Sequence, residues 1–279
     1  MDKDSAKKTM NCSSPALKRE RAEFEAKYQQ HDLLGKGGCG SVFAGYRKVD
    51  NLPVAIKHVP NDKILSKHVN GISMEVIVML KLAAKSEGTS APVSLLDWYK
   101  LKQELILVLE RPIPAEDLLD HINTNGGPLD EEEAKVILKQ LIDAAIDLED
   151  KHIFHRDIKL QNILIETSSD IPRVRLIDFG LSCFVKKRSS YYVFLGTEPP
   201  PEHQDDGVYR AGPTTVFQMG IVLFDMLHTG SFETTKFFAN RQRISNYLSK
   251  KCQDFLRTSL NRDPYQRPTL KQLRSHPWL

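Results

Sequence analysis

Residues 155–162 read His-Arg-Asp-Ile-Lys-Leu-Gln-Asn, and sixteen residues beyond Asn162 stands Asp178-Phe179-Gly180. The carboxylate of Asp157 can accept a proton, and Lys159 puts a cation two residues away. Asn162 and Asp178 offer oxygen ligands to a hard cation such as Mg²⁺. A proton acceptor, a cation and two metal-ligating oxygens are what phosphoryl transfer from ATP requires, because that step is mostly positioning and charge neutralisation. A charged surface loop followed by an unrelated Asp-Phe-Gly turn is the bland alternative. The number of fixed positions argues against it.

A nucleotide also needs a cradle. Gly35-Lys36-Gly37-Gly38-Cys39-Gly40-Ser41-Val42 supplies glycines that let a backbone approach phosphates where a Cβ would collide. The same pattern opens a helix in dinucleotide-binding folds. Here it lies between two strand-like runs, Asp32-Leu33-Leu34 and Ser41-Val42-Phe43-Ala44-Gly45, and Pro53-Val54-Ala55-Ile56-Lys57 follows as a third. A lysine alternating out of an apolar strand needs a partner, because a lone ammonium facing a core is costly. The expected partners of Lys57 are the α- and β-phosphates and a helical glutamate. Glu75, at the head of the apolar run Met74, Val76, Ile77, Val78, Met79, Leu80, is the candidate; a solvent-facing glutamate is the alternative.

The elements that must hold these groups can be read from periodicity. Asp50-Asn51 marks a turn between the second and third strands. A helix is expected over 73–85, with further strands near 94–98 and 105–109. Asp130 with Glu133 reads as a capping box, after which Ala134, Ile137, Leu138, Leu141, Ile142, Ala145 and Leu148 recur at helical spacing. The run Val216–Leu227 is apolar on nearly every side and reads as a buried helix. Thr269 with Gln272 caps a last helix before His276-Pro277-Trp278-Leu279. Residues 1–27 are polar and read as an extension outside the core, with Ser14-Pro15 able to start a short helix.

The 279-residue chain has room for two lobes, and its 41% hydrophobic and 27% charged residues are ordinary for a globular protein. A net charge of +3 without a basic stripe points away from nucleic acid. No run is apolar enough to span a bilayer, and neither a signal peptide nor a myristoylation glycine is expected at the start. Cys12, Cys39, Cys183 and Cys252 lack metal-ligand spacing, and the Asn11-Cys12-Ser13 sequon is expected to be void. A cytoplasmic setting is the expectation; Lys7-Lys8 and Lys18-Arg19-Glu20-Arg21 are a nuclear address or a solvated face.

These motifs resemble the protein kinases: residues 155–162 their catalytic loop, Asp178-Phe179-Gly180 their metal-binding turn. The hinge-like Glu110-Arg111-Pro112-Ile113-Pro114, the run Asp50–Val59, Leu95-Leu96-Asp97-Trp98 and the closing His-Pro-Trp narrow the resemblance to the Pim serine/threonine kinases, from about residue 33 to 279. The resemblance implies an α+β bilobal fold, with a small antiparallel-sheet N-lobe plus one helix over 28–112 and a mainly helical C-lobe over 113–279. It implies an ATP- and Mg²⁺-dependent enzyme, a monomer, acting on serine or threonine hydroxyls of proteins near basic residues. Asp157 would take the hydroxyl proton, Lys159 would steady the γ-phosphate, and Asn162 and Asp178 would hold metal. Adenine would lie between Leu34, Val42 and Ala55 on one side and Leu164 on the other, backed by Leu109 and Ile177. Because Pro112 has no N–H, only the Glu110 carbonyl would bond its edge.

The resemblance also implies a buried ion pair between Glu202 and Arg267, acidic recognition of substrate by Asp117 and Asp120, and a substrate-facing Thr197. An exposed acidic turn is the alternative for the two aspartates. Arg156 meets a phosphorylated loop in other kinases; Ser182, Ser189, Ser190, Tyr191, Tyr192 and Thr197 are the hydroxyls available here, though Pim members are thought active without such phosphorylation. Four features depart from the pattern. The 197–202 stretch is short, Thr215 replaces an aspartate that braces the catalytic loop, Cys39 replaces an aromatic, and Leu160-Gln161 replace two acidic residues. The shortened 197–202 stretch keeps a nucleotide-binding pseudokinase scaffold as the rival reading, and a small-molecule phosphotransferase is a third.

Overall fold

A computed structural model describes residues 15–65, 72–83, 91–168, 171–186 and 189–279. Lys7-Lys8, the Asn11 sequon, Cys12, the Ser14 cap and the last residues of the 73–85 helix lie outside them. The chain divides into two compact units, Met1–Ile64 with Leu95–Arg111, and Leu65–Ser94 with Pro112–Leu279.

The first unit begins with helix α1 (Pro15–Lys27) and continues into strands β1 (Tyr28–Gly37), β2 (Gly40–Arg47) and β3 (Leu52–Pro60), then β4 (Leu95–Lys100) and β5 (Glu104–Glu110). They form one antiparallel sheet in the order β1-β2-β3-β5-β4. Asn51, at φ 58°, makes the expected turn between β2 and β3. Alternation along β3 sends Val54 and Ile56 into a core with Tyr99, Leu101, Ile106 and Val108. Residues 15–27 were expected to lie outside that core, and this part of the expectation is corrected. Phe24 of α1 is buried in the same cluster, 6.0 Å from the Tyr28 ring and 5.5 Å from Tyr99. One aromatic side chain in a polar helix is too weak a periodic signal to announce that contact.

The second unit opens with α2 (Met74–Ala83), so the helix carrying Glu75 groups here and not with the sheet. A small sheet follows, β6 (Ala115–Asp117), β8 (Ile163–Glu166) and β9 (Arg173–Leu176), paired β6-β8-β9. A two-stranded ladder joins β7 (Ile153–Phe154) to β10 (Cys183–Phe184). The helices are α3 (Leu118–Thr124), α4 (Glu131–Asp150), α5 (Pro201–Asp206), α6 (Ala211–Leu227), α7 (Thr234–Phe238), α8 (Lys250–Ser259) and α9 (Leu270–Arg274). All seven periodic positions expected on α4 are buried, and α6 is buried on nearly every side.

Both predicted capping signals are used, in different ways. Thr269 and Gln272 form the full reciprocal box on α9. On α4 Asp130 accepts the Glu133 N–H, but the Glu133 carboxylate turns away to His121 Nε2 at 2.7 Å. No helix among the described residues is long and apolar enough to cross a membrane.

Candidate active site

Within the second unit the catalytic-loop side chains form one hydrogen-bonded set. Asn162 is buried and donates through Nδ2 to the Asp157 carbonyl at 2.8 Å and to Asp157 Oδ2 at 2.9 Å. Both bonds use the amide nitrogen, so the amide oxygen is the atom that could serve a metal. Lys159 Nζ stands 2.8 Å from Asp157 Oδ2 and donates to Thr197 Oγ1 at 3.1 Å. Asp157, Lys159 and Asn162 come from one run of sequence and Thr197 from another, and the four meet here. Asp178 follows β9 at φ 59°, a left-handed conformation that turns its carboxylate out of the strand, and its Oδ1 accepts the Gly180 N–H at 3.2 Å.

The loop is held from beneath. His155 is buried, its ring 4.8 Å from Phe179. Burial pushes its pKa down, so the ring is neutral. Nδ1 accepts the Asp157 N–H at 3.3 Å while Nε2 donates to the Ile177 carbonyl at 3.2 Å, tying the loop to the Asp-Phe-Gly turn. Ser182 is buried too and donates to the His155 carbonyl at 3.3 Å, so its hydroxyl is committed to the fold.

Gln218 was missed from sequence. Among the described residues Thr215 bonds its own helix, donating to the Ala211 carbonyl at 2.8 Å. One turn on, buried Gln218 donates Nε2 to the Arg156 carbonyl at 2.7 Å, bracing a residue held at φ 74°. A glutamine in an otherwise apolar helix was the available signal. Glu202 and Arg267 form the expected buried pair, Nη2–Oε2 2.7 Å. The short 197–202 stretch is anchored by Glu198, which accepts the Thr234 N–H at 2.6 Å, and by Thr234 Oγ1 donating to the Pro199 carbonyl at 2.9 Å.

Asp117 has a local task. It caps α3 by accepting the Asp120 N–H at 3.0 Å, and burial raises its pKa. Asp120 is exposed. Leu164 sits on β8 opposite Asp117 and Arg175, and Ile177 follows β9. Leu160 is buried and Gln161 exposed in the turn between Lys159 and Asn162.

In the first unit, register gathers the remaining residues. Val42 pairs with Lys57, Ala44 with Ala55, Lys57 with Leu107 and Ala55 with Leu109. Directly opposed residues share a sheet face, so Val42, Ala55, Lys57 and Leu109 project together, opposite Val54 and Ile56. Gly37 pairs with Gly40 across a two-residue turn of Gly38 and half-buried Cys39, while Gly35 and Lys36 lie along β1 and Leu34 is exposed. Gly40 has no substitute there: a Cβ would stand 2.1 Å from the His58 carbonyl oxygen. Glu110 ends β5 as the partner of Val54. Lys57 on the first unit and Glu75 on the second are each buried.

Comparison with known proteins finds relatives along nearly the whole chain. Serine/threonine-protein kinase pim-2 of Danio rerio is 35% identical over 276 residues, covering 94% of this chain and 87% of that protein. Serine/threonine-protein kinase prk-2 of Caenorhabditis elegans is 29% identical over 92% of this chain, which spans 59% of its length. Sperm motility kinase 1 of Mus musculus is also 29% identical, over 92% of this chain and 52% of its own. Residues 28–279 match the protein kinase domain family throughout, and on that match, with a sheet-built small unit and a helical large one, the chain belongs to the protein kinase family.

Proposed function

We propose that this chain transfers the γ-phosphoryl group of ATP to serine or threonine hydroxyls of protein substrates. The observation that carries the reading is the Asp157–Asn162–Lys159–Thr197 set, a carboxylate held by an amide and a lysine with a threonine hydroxyl at the far end. Asp157 accepts the proton of the attacking hydroxyl as its oxygen bonds to the γ-phosphorus and the bond to the β-phosphate oxygen breaks, releasing ADP. Lys159, bridging Asp157 and Thr197, lies where it can neutralise the transferring group. The donor set fits a hard cation: the amide oxygen of Asn162 and the carboxylate of Asp178 would hold Mg²⁺, whose charge neutralises the phosphates when it is bound. The Pim resemblance assigns Lys57 to the α- and β-phosphates with Glu75 as its partner, and Gly35–Gly40, Leu34, Val42, Ala55, Leu109, Glu110, Leu164 and Ile177 to the nucleotide.

Substrates carry serine or threonine, as in the names of the relatives, and near basic residues, as the Pim resemblance implies, but with a weaker demand for arginine. Two acidic positions of the Pim pattern are Leu160 and Gln161 here, and Asp117 is committed to a helix cap, which leaves Asp120 as the exposed carboxylate. The chain acts as a monomer in the cytoplasm, with access to the nucleus.

Transfer of label from [γ-³²P]ATP to a basic serine/threonine peptide tests the reading, with Asp178→Asn and Lys57→Met as controls. Both variants should fold and lose transfer by about a hundredfold to a thousandfold, the scale set by removing a main charge-stabilising group. A wild type as silent as the variants, yet raised in Tm by Mg·ATP, would establish the nucleotide-binding scaffold instead.

A further inference from the structure

Arg156 carries a cation beside the proton acceptor, and no carboxylate lies within ion-pair distance of it among the described residues. Its seat is aromatic. The guanidinium carbon stands 4.6 Å from the centroid of the Tyr191 ring and 5.8 Å from that of Phe154, and Nε is buried without a hydrogen-bond acceptor. An arginine stacked on ring faces and half-buried, as Arg156 is, is held by the ring quadrupole, an attraction that strengthens as the pair is desolvated.

Tyr191 is in turn fixed. Its backbone exchanges both hydrogen bonds with Tyr209 at 2.9 Å, and their rings lie 5.5 Å apart. Its ring meets Phe154 at 5.5 Å, and the Cys183 thiol donates to its hydroxyl at 3.7 Å. Downstream, Tyr209 Oη donates to the Val193 carbonyl at 2.9 Å and Phe194 packs on the Tyr209 ring at 5.5 Å. Gly196 passes so close to the Arg156 carbonyl that a Cβ would stand 2.9 Å from it. The next residue is Thr197, the acceptor of the Lys159 ammonium. Tyr191 thus stands at the head of a continuous packed path that ends on the catalytic lysine.

We propose that Tyr191 is a positioning residue for the transfer step: its ring, closed over the Arg156 guanidinium, seats residues 189–197 against the catalytic loop and so holds Lys159 and Asp157 in register with no anionic partner for that arginine. The inference rests on the phosphotransfer reading above. Tyr192 is exposed and is not among the rings of this cluster.

The test combines amide hydrogen exchange over 189–197 with steady-state kinetics. Tyr191→Phe keeps the ring and should hold both exchange and kcat within about twofold of wild type. Tyr191→Leu should speed exchange over 189–197 and lower kcat about tenfold with the KM for ATP unchanged, the scale of one desolvated cation–π contact. Should that variant fail to fold, Arg156→Met, which leaves the aromatic cluster intact, should give the same local loss. Wild type treated with a phosphatase should keep its protection.

Wild-type protection and turnover in Tyr191→Leu, or equal damage from Tyr191→Phe, would overturn the proposal. So would loss of protection on phosphatase treatment, which would make a phosphate the group that seats the segment. A wild type that transfers no phosphate defeats the proposed activity alone, because the exchange comparison still decides whether Tyr191 seats the segment.

Discussion

Replacing Glu202 with glutamine isolates the most committed charge in the second unit. The Arg267 side chain is fully buried and that of Glu202 nearly so. The guanidinium donates to both carboxylate oxygens, Nη1–Oε1 at 3.0 Å and Nη2–Oε2 at 2.7 Å, and its remaining donors reach the carbonyls of Pro213 at 3.0 Å, Asn261 at 2.8 Å and Arg262 at 3.4 Å. Its face lies 4.7 Å from the Phe217 ring. Every direction of the fork is therefore answered, and only one answer carries charge. In Glu202→Gln the amide nitrogen must face a guanidinium N–H, donor against donor, and a buried cation loses its counterion. Breaking a buried pair from one side costs about 3–5 kcal/mol. For a chain of this size that corresponds to a fall in Tm of roughly 10 °C. Urea unfolding followed by tryptophan fluorescence reads the change, with the double variant Glu202→Gln/Arg267→Met alongside. The double variant should be less damaged than the single, because it removes the stranded charge. A single-variant loss under about 1 kcal/mol, or a double variant worse than the sum of its parts, would refute the argument.

Phe24→Ala should destabilise the chain by about 3–5 kcal/mol, and deletion of residues 1–27 by no less, measured as a shift in urea midpoint; an unchanged midpoint would return α1 to the status of an appendage. His121 resists charging through burial, yet its hydrogen bonds to Glu133 and Glu116 carry its pKa above the ordinary imidazole value. Its contribution is therefore full below the unfolded pKa of about 6.5 and is lost as pH rises through the folded value, so His121→Gln should flatten the decline in Tm over that interval. Asp225 is pushed up to about 6 by burial, and its carboxylate accepts the Phe232 N–H at 2.6 Å. The stabilisation it gives is complete below the unfolded value of about 4 and gone above the folded one, so Asp225→Asn, which keeps the acceptor, should gain about 1–2 kcal/mol at pH 7.5 and nothing at pH 4 in thermal melts.

The helical C-terminal half was legible because its signals are local. The α4 stripe from Ala134 to Leu148 and the all-round apolar character of α6 follow from a 3.6-residue period that any burial of those helices must respect. The hairpin at Gly38-Cys39 and the strand phase of Lys57 were equally readable, since turn chemistry and two-residue alternation act over a handful of positions. Asp130 shows the limit of that locality. Its own half of the capping box formed, while the half belonging to Glu133 was taken by His121, twelve residues earlier in the chain.

By itself the order of residues determined which chemical groups this protein owns and how far apart they lie along the chain: Asp157, Lys159, Asn162 and Asp178 for the transfer, Lys57 and the glycines for the nucleotide. Tertiary structure alone decided who holds those groups. Gln218, not Thr215, reaches the Arg156 carbonyl; Tyr191 covers the Arg156 side chain; Phe24 joins the sheet's core; and Asp117 turns inward to cap α3. Each is a meeting settled by packing, whether between residues far apart in the chain or between several ways one side chain could turn. A side chain's type limits the partners it can satisfy, and only the folded neighbourhood selects among them.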